Sequence, residues 1–272
     1  VTANGLLIAG ELIPVAGLTV LPPASHGGPS WCVLDAGDYR ERHTGWVRQI
    51  IVHSTKGQWP QSVNPGAGAP GKAQIVADFW RGDPTHSAAQ LVVDLDGSIA
   101  CLCDLAYTCA YHAEGSNDWS IGIEMYQLND GSLYEATLSS TVILIEFLCR
   151  RFGIPFQMPR GPYRNRPLSR METGSGSTRH QLGGPDCCGV FGHRDNTSNR
   201  GPGDPGDAIW QELAALGCER LDFEAKEDLL VGKERQTALN SRGAHLTVDG
   251  ICGPASWSAM RQLGFSRWRD VA

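Results

Sequence analysis

The run Ile50-Ile51-Val52-His53-Ser54-Thr55 constrains this chain more than any other stretch. An unbroken apolar, β-branched segment reads as a strand buried on both faces, and such strands belong to parallel sheets covered by helices. Ligands of open α/β sheets gather where those strands end. This one stops on His53, which therefore stands where a site belongs.

Two other stretches repeat the pattern. Val190-Phe191-Gly192-His193 is a shorter apolar run that again stops on a histidine, followed by Arg194-Asp195 and a loop from Asn199 to Gly206 that carries Asp204. Ser120 to Met125 places Glu124 within an otherwise apolar strand. Two imidazoles and an aspartate supply three protein ligands to a zinc ion and leave a fourth position open for water. A glutamate beside that water would make the set catalytic. Asp195 and Asp204 compete for the third place, Asp195 being better suited to orienting a loop; His86 and His180 sit in loops and are not expected as ligands.

At 272 residues the chain has room for one large domain, or for one domain and a small module. Its 41% apolar and 19% charged residues predict a soluble globular protein with a proper core. A net charge of −6 argues against nucleic-acid binding through overall basicity, because phosphate neutralisation needs a cationic surface. No stretch approaches the ~20 apolar residues that cross a bilayer. Val1 to Pro23 lacks a basic leader region and is broken by Glu11 and Pro14, so it reads as a pair of short strands. The nine cysteines include no CxxC pair. Cys101 and Cys103 are expected on one face of a strand as small apolar side chains; Cys187 and Cys188, just before the His193 strand, are within reach of the metal by sequence but read better as wall residues.

Along the chain, the core is expected to begin near Trp46. Lys56 to Gly71 is a polar, glycine-rich loop containing Trp59, of a length that usually signals function. Within it, Gly66 to Lys72 nearly spells a phosphate-binding loop, but Ala73 replaces the magnesium-binding hydroxyl and no apolar strand leads in. Helices are predicted over Ile75–Arg81, Thr137–Phe152 (stopped by Gly153 and Pro155) and Asp207–Leu216, with a hairpin turned at Asp96-Gly97 after Leu91–Asp94. Pro155 to Gly189 is irregular and locally basic, either a solvated insertion or a lip that meets acidic substrate groups. From Glu219 the chain becomes charged like a linker, and helices over Leu229–Asn240 and Ala255–Leu263 flank a turn at Val248–Pro254, as in a small docking module.

These residues resemble the zinc-dependent N-acetylmuramoyl-L-alanine amidases, a family that includes amidase-type phage lysozymes and animal peptidoglycan recognition proteins. The landmarks are Ile51-Val52-His53-Ser54-Thr55, Asp94-Leu95-Asp96-Gly97, Tyr111-His112-Ala113, Asn117 to Glu124, Gly192-His193-Arg194-Asp195 and Asp204-Pro205-Gly206. Their shared order is far more specific than any one of them. The turn Val248-Asp249-Gly250-Ile251-Cys252-Gly253-Pro254 resembles that of a small helical peptidoglycan-binding module.

The resemblance implies an α/β fold, a mixed central β-sheet flanked by helices, plus a small C-terminal helical domain. It divides the chain into an N-terminal extension (1–45), a zinc amidase domain (46–218) and a linker with a peptidoglycan-binding module (219–272). It implies one zinc ion held by His53, His193 and Asp204, with Glu124 as general acid/base and Arg200 at the oxyanion. His112, Asn117 and, on the long loop, Trp59 are the residues expected to meet substrate. The substrate it implies is the amide bond between N-acetylmuramic acid and L-alanine in peptidoglycan, attacked at the bacterial cell wall by a monomer without nucleic acid or membrane insertion. Pro202 stands where relatives commonly have lysine, making Arg200 the nearest cation, and Gln90 replaces a frequent histidine or aromatic residue. A non-catalytic wall binder on the same fold is the alternative; a third ligand at Asp204 favours the enzyme.

Overall fold

The computed structural model describes residues 4–42, 47–55, 71–113, 115–128, 131–160, 188–196, 200, 203–221, 227–248 and 254–265. In chain order the first half runs β1 (Leu6–Ile8), β2 (Glu11–Ile13), β3 (Val20–Leu21), β4 (Tyr39–Glu41), β5 (Gln49–Ser54), α1 (Lys72–Arg81), β6 (Leu91–Val93), β7 (Ile99–Cys101), β8 (Thr108–Ala110) and β9 (Ser120–Met125). The second half runs α2 (Glu135–Phe152), β10 (Gln157–Pro159), β11 (Gly189–Gly192), α3 (His193–Asn196), α4 (Ala208–Ala215), β12 (Glu219–Leu221), α5 (Glu227–Asn240) and α6 (Pro254–Gln262). No helix among the described residues is long and apolar enough to cross a membrane.

The centre is a six-stranded mixed sheet in the order β11-β5-β9-β6-β7-β3. Its first four strands are parallel, β7 turns back antiparallel to β6, and β3 lies parallel to β7. The expected hairpin is present, and Gly97 explains its tightness: φ is +81°, and a Cβ there would come within 2.8 Å of the Ala136 carbonyl oxygen.

Strand β9 shows how one strand serves both core and site. Ile121, Ile123 and Met125 enter the larger core with Ile50 and Val52 of β5, Leu144, Ile145 and Leu148 of α2, and Ile209, Trp210 and Leu213 of α4. Successive side chains point to opposite faces, so Ser120, Gly122 and Glu124 share the other face. A second core lies where Ala73, Val76, Ala77 and Trp80 of α1 pack with Val92 and Ala100.

The core takes in residues well ahead of Trp46: Leu6, Leu7, Ile8, Val15, Leu18 and Val20 are buried in the larger cluster, and β3 forms one edge of the sheet, opposite β11. The expected pair of short strands, β1 and β2, is a hairpin. At the other end, Glu219–Leu221 is a strand paired in parallel with β10 where linker was expected. Burial holds the Cys32 and Cys101 thiols at about 12, so both stay protonated and pack as small apolar groups. Cys103 does not share a face with Cys101. Strand β7 ends at Cys101, the alternation stops there, and Cys103 packs against the second core.

Helices α5 and α6 pack through Leu239, Ala259 and Met260, with Leu246, Leu263 and Phe265 beside them. Trp59, the phosphate-loop-like residues 66–70, residues 161–187 of the basic segment (with His180 and Cys187) and 249–253 of the turn lie outside the described residues.

Candidate metal centre

The parallel register assembles the centre. Gly192 of β11 pairs with Val52 of β5, so His193 follows one step beyond, beside His53, and His53 pairs in turn with Glu124 of β9. Three residues scattered over 140 positions of sequence thereby come side by side, two on the neighbouring strands β5 and β9 and His193 just past the end of β11.

The two imidazoles meet through their Nδ1 atoms, 2.9 Å apart, and His193 Nδ1 lies 3.3 Å from Asp204 Oδ2. His53, His193 and Asp204 are all buried and each offers a ligand atom within 4.8 Å of the others; among the described residues they form the group that could hold a metal ion. Two imidazole nitrogens and one carboxylate oxygen are a donor set suited to a zinc site with an open position.

Asp204 is aimed from a distance. The backbone N–H of Ser54 donates to its Oδ1 at 3.0 Å, which leaves Oδ2 facing His193. The Ser54 hydroxyl and the Gln127 amide both donate to the Gly203 carbonyl, and Gln127 accepts from the Gly206 N–H. A buried ion pair at 2.7 Å between Arg194 and Asp207, with the guanidinium 5.7 Å over the Trp210 ring, fixes the far side of the loop. Asp195 is employed differently: its Oδ2 accepts the Gly192 N–H at 2.9 Å within its own turn. His86 faces Asp38 rather than the centre.

A cavity of about 590 Å³ opens here, lined by His53, Thr55, His112, Glu124, His193 and Arg200, and on its other side by Val76, Phe79 and Trp80 of α1 and the turn from Asp83 to Ala89. Glu124 is half-buried beside His53. Arg200 brings its Nε to 3.6 Å from Asp204 Oδ2.

Of the expected substrate contacts, His112 lines the cavity but has both ring nitrogens engaged, Nδ1 with His53 Nε2 at 2.9 Å and Nε2 with Ser120 Oγ at 3.0 Å. Its imidazole is pushed down to about 3, first by loss of solvation and then by His193 and Arg42. Asn117 does not line the cavity; its side-chain oxygen accepts the backbone N–H groups of His112 and Ala113 at 3.0 and 2.7 Å. Gln90 braces β9, accepting the Gly122 N–H at 2.7 Å.

Sequence reasoning passed over Ser54, Gln127, Asp207 and Ser120, the residues that aim the centre. Their types are common, and only the fold distinguishes them from ordinary polar residues.

Two imidazoles at the ends of neighbouring strands, a carboxylate carried in on a loop and a glutamate one strand away form, on a mixed α/β sheet, a donor set that could hold a metal ion. Residues 43–207 match the family model described as N-acetylmuramoyl-L-alanine amidase, and the chain belongs to that family. Among solved structures it is similar to a selenomethionine derivative of AmpD, with 18% identity, a TM-score of 0.41, and coverage of 68% of this chain and 98% of that one. It is also similar to the Ph2119 endolysin from Thermus scotoductus MAT2119 bacteriophage Ph2119, with 17% identity, a TM-score of 0.41, and coverage of 68% and 93%. A third is the endolysin LysCS from Clostridium intestinale URNW, at 15% identity, a TM-score of 0.39, and coverage of 63% and 84%. No curated protein sequence matches.

Proposed function

We propose that this chain is a zinc-dependent hydrolase that cleaves the amide bond between N-acetylmuramic acid and L-alanine in peptidoglycan. The observation that carries the reading is the three-donor cluster within 4.8 Å with Glu124 in register beside it. His53, His193 and Asp204 would hold the ion. Zinc bound by such a set makes water acidic enough, with a pKa of about 7, to attack near neutral pH, and polarises the scissile carbonyl.

The residues of the chain do the rest. Glu124 takes a proton from the attacking water as the carbon–oxygen bond forms, and returns it to the departing amine as the carbon–nitrogen bond breaks. The products are a lactyl carboxylate on the sugar and a free α-amino group on L-alanine. Arg200 supplies positive charge where the carbonyl oxygen becomes an oxyanion, taking the place of the lysine that relatives carry near Pro202. Asn117 serves the site by holding the backbone that carries His112, while Trp59 on the long loop is proposed to meet substrate.

The amidase domain is assigned residues 46–218 together with the N-terminal residues that share its core and the strand β12, followed by a linker and a C-terminal peptidoglycan-binding module that ends at 272, acting on the bacterial cell wall as a monomer. The test is mass spectrometry of the products from a defined muropeptide, with metal content measured on the same sample. Expected are free stem peptide and a free lactyl group, loss of both with a chelator, and recovery with zinc. Chelator-insensitive release, or new reducing sugar ends, would sink the reading.

A further inference from the structure

We propose that His112 is a positioning residue that fixes the tautomer of His53, through a hydrogen-bond chain that can run in only one direction. The inference rests on the reading of His53 as a metal ligand.

The chain begins at a group with no proton to give. Ser120 Oγ lies 2.7 Å from the Ser116 carbonyl oxygen, an acceptor only, so the hydroxyl proton is committed there. Ser120 Oγ must then accept in its second contact, from His112 Nε2 at 3.0 Å, and that nitrogen carries the ring's proton. A neutral imidazole has one N–H, so His112 Nδ1 is a bare lone pair, aimed at His53 Nε2 at 2.9 Å. His53 therefore donates from Nε2 and keeps its own lone pair on Nδ1. That atom is the one facing His193 Nδ1 at 2.9 Å, inside the three-donor cluster.

Every link is held in place. Ser116 is fully buried, and its hydroxyl oxygen accepts from the Asn196 side chain at 2.6 Å. Asn117 fixes the backbone of His112. The ring itself lies on Gly122, where a Cβ would come within 2.6 Å of its Cγ and 2.7 Å of its Nδ1, so a side chain at 122 would displace it. Metal-binding histidines generally donate their other nitrogen to a partner that orients the ring. Here the acceptor is another imidazole, made an acceptor by a serine and a main-chain carbonyl behind it.

The experiment compares the full chain with His112→Phe, which keeps a ring but no acceptor, and His112→Asn, whose Oδ1 restores an acceptor near the Nδ1 position. Zinc affinity is read by competition with a chromophoric chelator, and long-range proton–nitrogen spectra of metal-free wild-type protein read which imidazole nitrogens carry protons. Expected are a loss of about 10–100-fold in zinc affinity for the phenylalanine variant, recovery of most of it by asparagine, and spectra with His112 protonated on Nε2 and bare on Nδ1. Spectra with the His112 proton on Nδ1 overturn the proposal, and they decide it even should the phenylalanine variant not fold. Normal zinc uptake by wild type together with undiminished affinity in folded His112→Phe overturns this inference alone. A wild-type chain that takes up no zinc overturns the metal reading and this inference with it.

Discussion

Glu124 occupies the one cavity-facing carboxylate position on β9 that stands in register with His53. Replacing it with glutamine keeps its volume but exchanges one acceptor oxygen for an amide donor and removes the proposed base, so Glu124→Gln is expected to bind zinc normally while hydrolysis falls by about 10²–10⁴. Turnover per bound metal is the measurement, and near-normal turnover would remove Glu124 from the mechanism. At this scale the sequence was legible wherever a rare residue type interrupts an apolar run, as His53, His193 and Glu124 do. It was less legible for His112 and Asn117. Their motif is plain in the chain, but the direction in which each side chain spends its hydrogen bonds is not, and both spend them on the protein.

Helix α1 forms one side of the cavity and shows why element boundaries drift from their local signals. Periodicity places its start at Ile75, yet it begins at Lys72. The difference is made by Asp94, at the end of β6, whose Oδ2 accepts the N–H groups of Gly71 and Ala73 at 2.9 and 3.0 Å while Oδ1 accepts that of Leu95 at 2.6 Å. Helix N-termini need such acceptors, and here it is supplied from across the fold. Asp94→Ala would leave these donors without their partner and is expected to cost about 1–3 kcal/mol, read by urea unfolding. Because Val76, Phe79 and Trp80 move with the helix, KM should rise as well. Asp94→Asn, which keeps an acceptor, should lose less on both measures.

Across the whole molecule, the residues before Trp46 belong to the structural body rather than standing apart from it. Leu6 is fully buried in the core shared with α2 and α4, about forty positions ahead of the first central strand. Leu6→Ala is therefore expected to destabilise the catalytic body by about 2–5 kcal/mol, measured by thermal unfolding; a negligible change would show the N-terminal hairpin to be dispensable. What the sequence by itself determined is the kind of element at each place: apolar runs that must be buried strands, periodic helices, an Asp-Gly turn, and two histidines at strand ends. Those follow from short-range rules, since periodicity and turn chemistry are written within a few residues. Only the tertiary structure decided that β3 forms one edge of the sheet, that the Ser54 N–H aims Asp204 toward His193, and that His112 backs His53. Each of those rests on hydrogen bonds between residues far apart in the chain, 150 positions in the case of Ser54 and Asp204, and such pairings exist only once the strands have found their register.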